Sequence, residues 1–213
     1  GYEYPFAQLE GVVAKRIASK LDPTEADSEY FASRRPSFAG RGRLTPAQRG
    51  TATHRFMQYA DYSRACKSVA DELTRLTEDG MLTADEANAV DARAVARFFD
   101  SGLYARMSRA ERIYKEYSFT CSVPVSELYP QLPCGLADGE VVLIEGVADC
   151  AFVEGGELVV VDYKTDKASS AAELAERYGA QLGIYRRCLA EVLGMPVKET
   201  VIYSFRLNES ITL

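Results

Sequence analysis

Tryptophan is absent from the chain, histidine occurs once, and the five cysteines form no CxxC pair. An odd set (Cys66, Cys121, Cys134, Cys150, Cys188) at irregular spacing argues against a disulfide framework, a zinc ribbon and an iron–sulfur site, so the sequence predicts buried, reduced thiols. Uninterrupted apolar runs of the ~18 residues that a membrane span requires are missing, as is a basic-then-apolar leader. These absences predict a soluble, cytosolic chain with no membrane partner. There is no excess of positive charge either: the net charge is −6 and the pI near 5.0, which excludes a protein that finds nucleic acid by long-range attraction alone. An initiator Met is also lacking, and the ends read as cuts from something larger.

What is present is a length of 213 residues, 47 % of them hydrophobic, enough to bury one ordinary core. Charge is unevenly spread. Residues 31 to 60 carry Arg34, Arg35, Arg41, Arg43, Arg49 and Arg55 and no Asp or Glu. This is a basic arm in an acidic chain, readable equally as a solvated linker or as a phosphate-contacting segment. The Pro and Gly content of its first half predicts an irregular linker over 1–44, ahead of a domain over 45–213.

Thr45-Pro46 reads as N-cap and first helical residue of a helix reaching about Tyr62. A second helix spans about Ala65 to Glu78, ended by Gly80. Thr83 with Glu86 forms a capping-box pattern that opens an apolar stripe running to Gly102. The period then becomes strand-like in Ile113–Phe119, Val141–Val153 and Glu157–Tyr163. Leu174, Tyr178, Leu182, Tyr185, Leu189 and Leu193 mark a long amphipathic helix stopped by Gly194 and Pro196, and Val197–Leu207 reads as a last strand.

Chemistry concentrates at one hairpin. Glu154-Gly155-Gly156-Glu157 is a turn signal between two apolar runs, and if the Gly pair is the tip, opposed residues have numbers summing to 311. Asp149 then lies across from Asp162. Side chains so opposed are about 4.5–5.5 Å apart at Cβ, and two carboxylates at that distance repel unless a proton or cation lies between them. Alternation puts Lys164 on the face of Asp162, which gives two carboxylates and an ammonium around one point. Mg²⁺ suits such oxygen ligands, and a Lys beside it can orient or deprotonate a bound water. The D-x-K tripeptide alone is weak; the hairpin pairing, and the apolar run Leu158–Val161 that argues a strand buried on both faces, strengthen it.

Gly146-Val147-Ala148-Asp149, Val161-Asp162-Tyr163-Lys164-Thr165-Asp166 and Gln181-x-x-x-Tyr185 together resemble the motifs of RecB-like nucleases of the PD-(D/E)XK superfamily. Upstream, Gly50-Thr51-Ala52-Thr53-His54 resembles the Gly-Thr-x-x-His helix of that group, and Glu116-Tyr117-Ser118-Phe119 its Glu-x-Pro-Phe strand, with Ser118 in place of Pro. Ala148 stands where Ile is usual. The resemblance covers roughly residues 45–207 and is greatest to the nuclease domains of AddA-type helicase–nucleases. It implies an α/β restriction-endonuclease-like core, a mixed sheet flanked by helices with a helical N-terminal portion.

By the same resemblance, His54, Asp149, Asp162 and the Tyr163 carbonyl would hold Mg²⁺, with Mn²⁺ as an alternative and Ca²⁺ as a non-catalytic substitute. Lys164 would be the catalytic ammonium. Gln181 and Tyr185, one helical turn apart, would contact DNA phosphate or Lys164, though Tyr178 and Tyr185 also belong to the packing stripe. Arg41, Arg43, Arg49 and Arg55 are candidate DNA contacts. Glu116 and Glu145 stay unassigned; Glu145 shares the parity of Asp149 but pairs with Asp166 in the 311 register. The four-cysteine pattern of cluster-bearing relatives is absent, so no iron–sulfur cluster is expected. The implied activity is a DNA exonuclease in an ATP-dependent helicase–nuclease that processes double-strand breaks together with an AddB-like partner, the motor delivering the single strand. An inactive DNA- or subunit-binding module and a free-standing exonuclease are the alternatives.

Overall fold

The computed structural model describes residues 14–18, 44–133, 135 and 137–213. Among them the order is β1 (Lys15–Ile17), α1 (Pro46–Tyr59), α2 (Tyr62–Ala65), α3 (Val69–Glu78), α4 (Ala84–Ala89), α5 (Ala92–Phe99) and α6 (Gly102–Met107). Then come β2 (Arg112–Pro124), α7 (Val125–Leu128), β3 (Val141–Glu154), β4 (Glu157–Lys164), α8 (Ala171–Leu193), β5 (Val197–Ser204) and β6 (Glu209–Thr212). The predicted fold class is the one observed, a mixed sheet between two helical layers.

Local signals place the helix starts. Thr45 accepts from Gln48 N while the Gln48 side chain returns to Thr45 N, and Thr83 and Glu86 make the same reciprocal pair. The stripe expected to run unbroken from Thr83 to Gly102 is interrupted, because the Asp91 carboxylate caps Arg93 N and Ala94 N and starts a new helix. The strand expected over Val197–Leu207 ends at Ser204, and a turn carries the chain into β6.

The hairpin forms in the predicted register, from Glu154↔Glu157 to Cys150↔Val161, with Gly155 and Gly156 both at positive φ, as a tight turn of matching twist requires. Beyond Cys150 the strands part. β3 takes β1 as a parallel neighbour, Glu145 pairing with Ile17 and Thr120 and binding Lys15 at 2.8 Å, so the Glu145–Asp166 opposition does not occur. On the other side β4 pairs in parallel with β5, as a strand buried on both faces.

Two cores sandwich the sheet. Leu174, Tyr178, Leu182 and Tyr185 of α8 pack against Phe119, Ile144, Ala148, Ala151, Leu158 and Val160. On the opposite face Phe56, Leu76, Val95 and Phe98 pack against Cys150, Phe152, Val159, Val161 and Tyr163. Cys121 of β2 and Cys188 of α8, expected as thiols, are instead joined in a disulfide. They come from 67 residues apart, a proximity that spacing along the chain does not reveal. Cys150 is a buried free thiol and Cys66 an exposed one; Cys134 lies outside the described residues.

Gly146 shows how tightly β2 and β3 approach. A Cβ there would clash with Phe119 Cζ and meet Ala18 Cβ at 3.1 Å. The Gly146→Ala substitution is therefore expected to lower stability by about 1–3 kcal/mol through overpacking, read as a lower denaturant midpoint at unchanged m.

Candidate active site

The site lies where β3 leaves β4. In a regular sheet Glu116 and Asp149 would be an ordinary rung, since Lys115 pairs with Cys150 on one side and Tyr117 with Ala148 on the other. Both strands instead break their alternation at this rung. Tyr114 and Tyr117 pack on the α8 side with ring centroids 5.3 Å apart, while Lys115 and Glu116 both turn to α1. In β3, Ala148 and Ala151 face α8 although three positions apart, and Asp149 reaches the α1 side beside Cys150. Because the two irregularities coincide, the register survives. The backbone device is Glu116 at φ +45°, a left-handed conformation that costs a non-glycine residue about 1–3 kcal/mol and persists only where its surroundings hold it.

The result is a group of three donors. His54, Glu116 and Asp149 each offer a ligand atom within 4.8 Å of the others. His54 is positioned by α1, whose Thr53, Phe56 and Met57 are buried. The end of α1 is in turn fixed by Lys115, whose ammonium donates to Ala60 O at 2.5 Å and lies 3.6 Å from the Tyr62 ring centroid. Burial lowers Lys115 to about 8. Asp149 divides its two oxygens: Oδ2 accepts from Tyr163 N at 2.8 Å, replacing the ladder bond lost where the strands part, and Oδ1 lies 3.4 Å from His54 Nδ1.

Asp162 and Lys164 approach from the other face. Val161 and Tyr163 belong to the α1-side core, so alternation turns Asp162 and Lys164 toward α8. Lys164 Nζ lies 3.3 Å from Asp162 Oδ2 and 3.9 Å from the Tyr178 ring centroid. The predicted same-face opposition of Asp149 and Asp162 is thus corrected. The ladder stops one pair short of them, and Asp162, paired with Lys164, lies beside the three-donor group of His54, Glu116 and Asp149. The residue left unassigned from sequence joins the site because of the kink at its own backbone. Gln181 and Tyr185 are buried together, Gln181 Nε2 donating to Tyr185 OH at 3.3 Å.

Electrostatics couple the two halves. Burial and the neighbouring Asp149 charge push Glu116 up to about 7, against the opposing pull of His54. Burial likewise raises Asp162, to about 6, with Asp149 adding to the rise and Lys164 and His54 opposing it. Burial works against the charged form of Asp149 too, but His54, Lys164 and the Tyr163 N–H outweigh it and keep this carboxyl below its usual range. Tyr185 is raised by burial and by the Asp162 and Asp149 charges, which places its hydroxyl in their field. The three carboxyls thus share one field with the His54 imidazole and the Lys164 ammonium.

The proposed DNA contacts separate. Arg55 donates to Glu86 at 2.6 Å and to Met81 O at 2.9 Å. Arg49 is exposed on the first turn of α1. Arg41 and Arg43 lie outside the described residues.

A sheet split around a carboxylate, a D-x-K strand end and a helix-borne histidine meet at this site. Residues 28–211 match the model of the PD-(D/E)XK nuclease superfamily, and the chain belongs to that superfamily. Over most of its length it is homologous to the nuclease region of the AddA-type proteins, the ATP-dependent helicase/nucleases of several bacteria. It is 36 % identical over 182 residues to the one from Geobacillus thermodenitrificans, covering 80 % of this chain and 14 % of that protein. To its counterpart from Clostridium kluyveri it is 31 % identical over 216 residues, covering 96 % and 18 %. To that of Desulforamulus reducens it is 32 % identical over 225 residues, covering 99 % and 18 %. The chain therefore spans less than one fifth of these relatives' length. No helix among the described residues is long and apolar enough to cross a membrane.

Proposed function

We propose that this domain hydrolyses DNA phosphodiester bonds with the help of a bound divalent cation. The observation that carries the reading is the convergence of His54, Glu116 and Asp149 within 4.8 Å beside the buried Asp162–Lys164 pair. The donor set fits a cation. An imidazole nitrogen and two carboxylates suit Mn²⁺ or Mg²⁺, and the buried Asp162 Oδ2 has no hydrogen-bond partner although Lys164 Nζ is 3.3 Å away. Asp162 and the Tyr163 carbonyl would complete the shell, as the superfamily resemblance implies.

The bound ion would polarise the scissile phosphate and lower the pKa of a coordinated water. Asp149 supplies the carboxylate whose charged form its surroundings favour, with the Tyr163 N–H fixing its orientation. Lys164, held at the seam, positions the attacking water or balances charge developing on the phosphate. Gln181 and Tyr185 line the α8 side, where a phosphate oxygen could replace their mutual hydrogen bond. An acidic domain gains substrate most readily if a motor delivers it. We therefore place the domain in a bacterial, cytoplasmic helicase–nuclease that degrades single strands during double-strand-break repair, with an AddB-like partner and an Arg41–Arg43–Arg49 arm tracking phosphates.

The test is cleavage of end-labelled single- and double-stranded DNA in Mg²⁺, Mn²⁺, Ca²⁺ or EDTA. Cutting in the first two alone, faster on single strands, is the expected result. Cutting that persists in EDTA, or DNA binding with no cutting in any ion, would return the chain to the rank of a binding module.

A further inference from the structure

Tyr178 lies in the apolar stripe of α8 between Leu174 and Leu182. Beyond its place in that core it makes two polar contacts. The ring lies under Lys164, Nζ to centroid 3.9 Å, well inside the ~6 Å reach of a cation–π contact. Its hydroxyl donates to Asp166, which also sits 3.8 Å from Arg177 Nη1. Asp166 is two residues beyond Lys164, just past the end of β4. The hydrogen bond therefore ties β4 to α8 at the point where the ring must meet the ammonium. Tyr178 and Lys164 are both buried, 3 % and 8 % exposed, so the ring's negative face acts on a largely desolvated cation.

We infer that Tyr178 is a positioning residue for Lys164: its ring, latched by Asp166, seats the ammonium at the seam. This rests on the reading of Lys164 as the group that acts at the phosphate. A long lysine side chain has many rotamers, and a group displaced by 1 Å from its productive position loses rate steeply. The Asp162 carboxylate neutralises the ammonium, and the ring limits where along that carboxylate it can sit.

The inference is tested by single-turnover cleavage and by NMR of the metal-free protein. The Lys164 ε-methylene signal, assigned by its loss in Lys164→Arg, is expected upfield of ordinary lysines through the ring current. It should stay there in Tyr178→Phe and move to the ordinary position in Tyr178→Leu. Tyr178→Phe and Asp166→Ala both keep the ring and lose the latch, so each is expected to lower kcat by a similar, few-fold amount, short of the loss in Tyr178→Leu. Tyr178→Leu should lower kcat roughly ten- to thirty-fold with KM little changed. An unshifted Lys164 signal in the unsubstituted protein overturns the proposal whether or not any variant folds. So does wild-type kcat in Tyr178→Leu, or an equal loss in Tyr178→Phe. Lys164→Ala separates the two levels: cleavage retained there sinks the nuclease role of Lys164, whereas cleavage lost there and kept in Tyr178→Leu sinks the seat alone.

Discussion

Lys164→Ala is expected to slow metal-dependent cleavage by roughly 10²–10⁴-fold, the range for loss of a positioned acid–base or charge-stabilising group. The fold should survive, because Asp162, already raised to about 6 by burial, can take up a proton once its ammonium partner is gone. Asp162→Asn should produce a comparable loss for the converse reason, the buried ammonium losing its counter-charge. The two effects should not add. Lys164 and Asp162 form one unit, so the double variant should cut little more slowly than either single one. Single-turnover rates with thermal melts of each variant make the measurement. A Lys164→Ala protein that cuts near the original rate would mean that another group activates the water.

The second large effect concerns metal and pH together. In the metal-free chain Glu116 titrates near 7 and Asp162 near 6, against ordinary values of 4.5 and 3.8. Both pKa values are raised on folding, so the folded state binds more protons than the unfolded one across this interval. The stability these groups contribute is complete below about pH 4 and is lost as pH rises through 6 to 7. A divalent cation competes for the same oxygens. It must displace protons at pH 5.5 and need not at pH 8, so the rise in Tm produced by Mn²⁺ should grow with pH over that range. Glu116→Gln removes one of these titrations. It should flatten the pH dependence of the metal-free protein and weaken Mn²⁺ binding by more than the roughly 10–100-fold typical of a lost outer-shell partner. Unchanged affinity and slope in Glu116→Gln would exclude this carboxylate from the coordination shell and favour the set built on Asp162.

Much of this site was legible because its determinants are local. The Glu154-Gly-Gly-Glu157 tip sets the register of β3 and β4 within a few residues on either side, since a side-chain period of two leaves one pairing that buries the apolar faces. That pairing brings Asp149 and Asp162 to neighbouring positions without any knowledge of the rest of the fold. Thr45, Thr83 and Gly194 likewise mark helix ends through bonds that span three or four residues. The α8 stripe and the doubly buried run in β4 follow from periodicity alone.

Glu116 was hidden for the opposite reason. Its partner across the sheet is set by the pairing of β2 with β3, which are joined through α7 and the segment leading to Val141, too long a connection for a turn to dictate register. The left-handed backbone that turns Glu116 to α1 is held by its tertiary surroundings, because no local preference would choose it. The departure of β3 from β4, the Cys121–Cys188 bond and the capture of Arg55 by Glu86 are all meetings of elements far apart in the chain. Contacts a few residues long, readable along the chain, thus settle the hairpin and the shared face of Asp162 and Lys164. Which carboxylate joins His54 and Asp149, and which aromatic ring lies under the lysine, is settled in three dimensions, because both depend on how α1 and α8 pack on opposite faces of one strained rung.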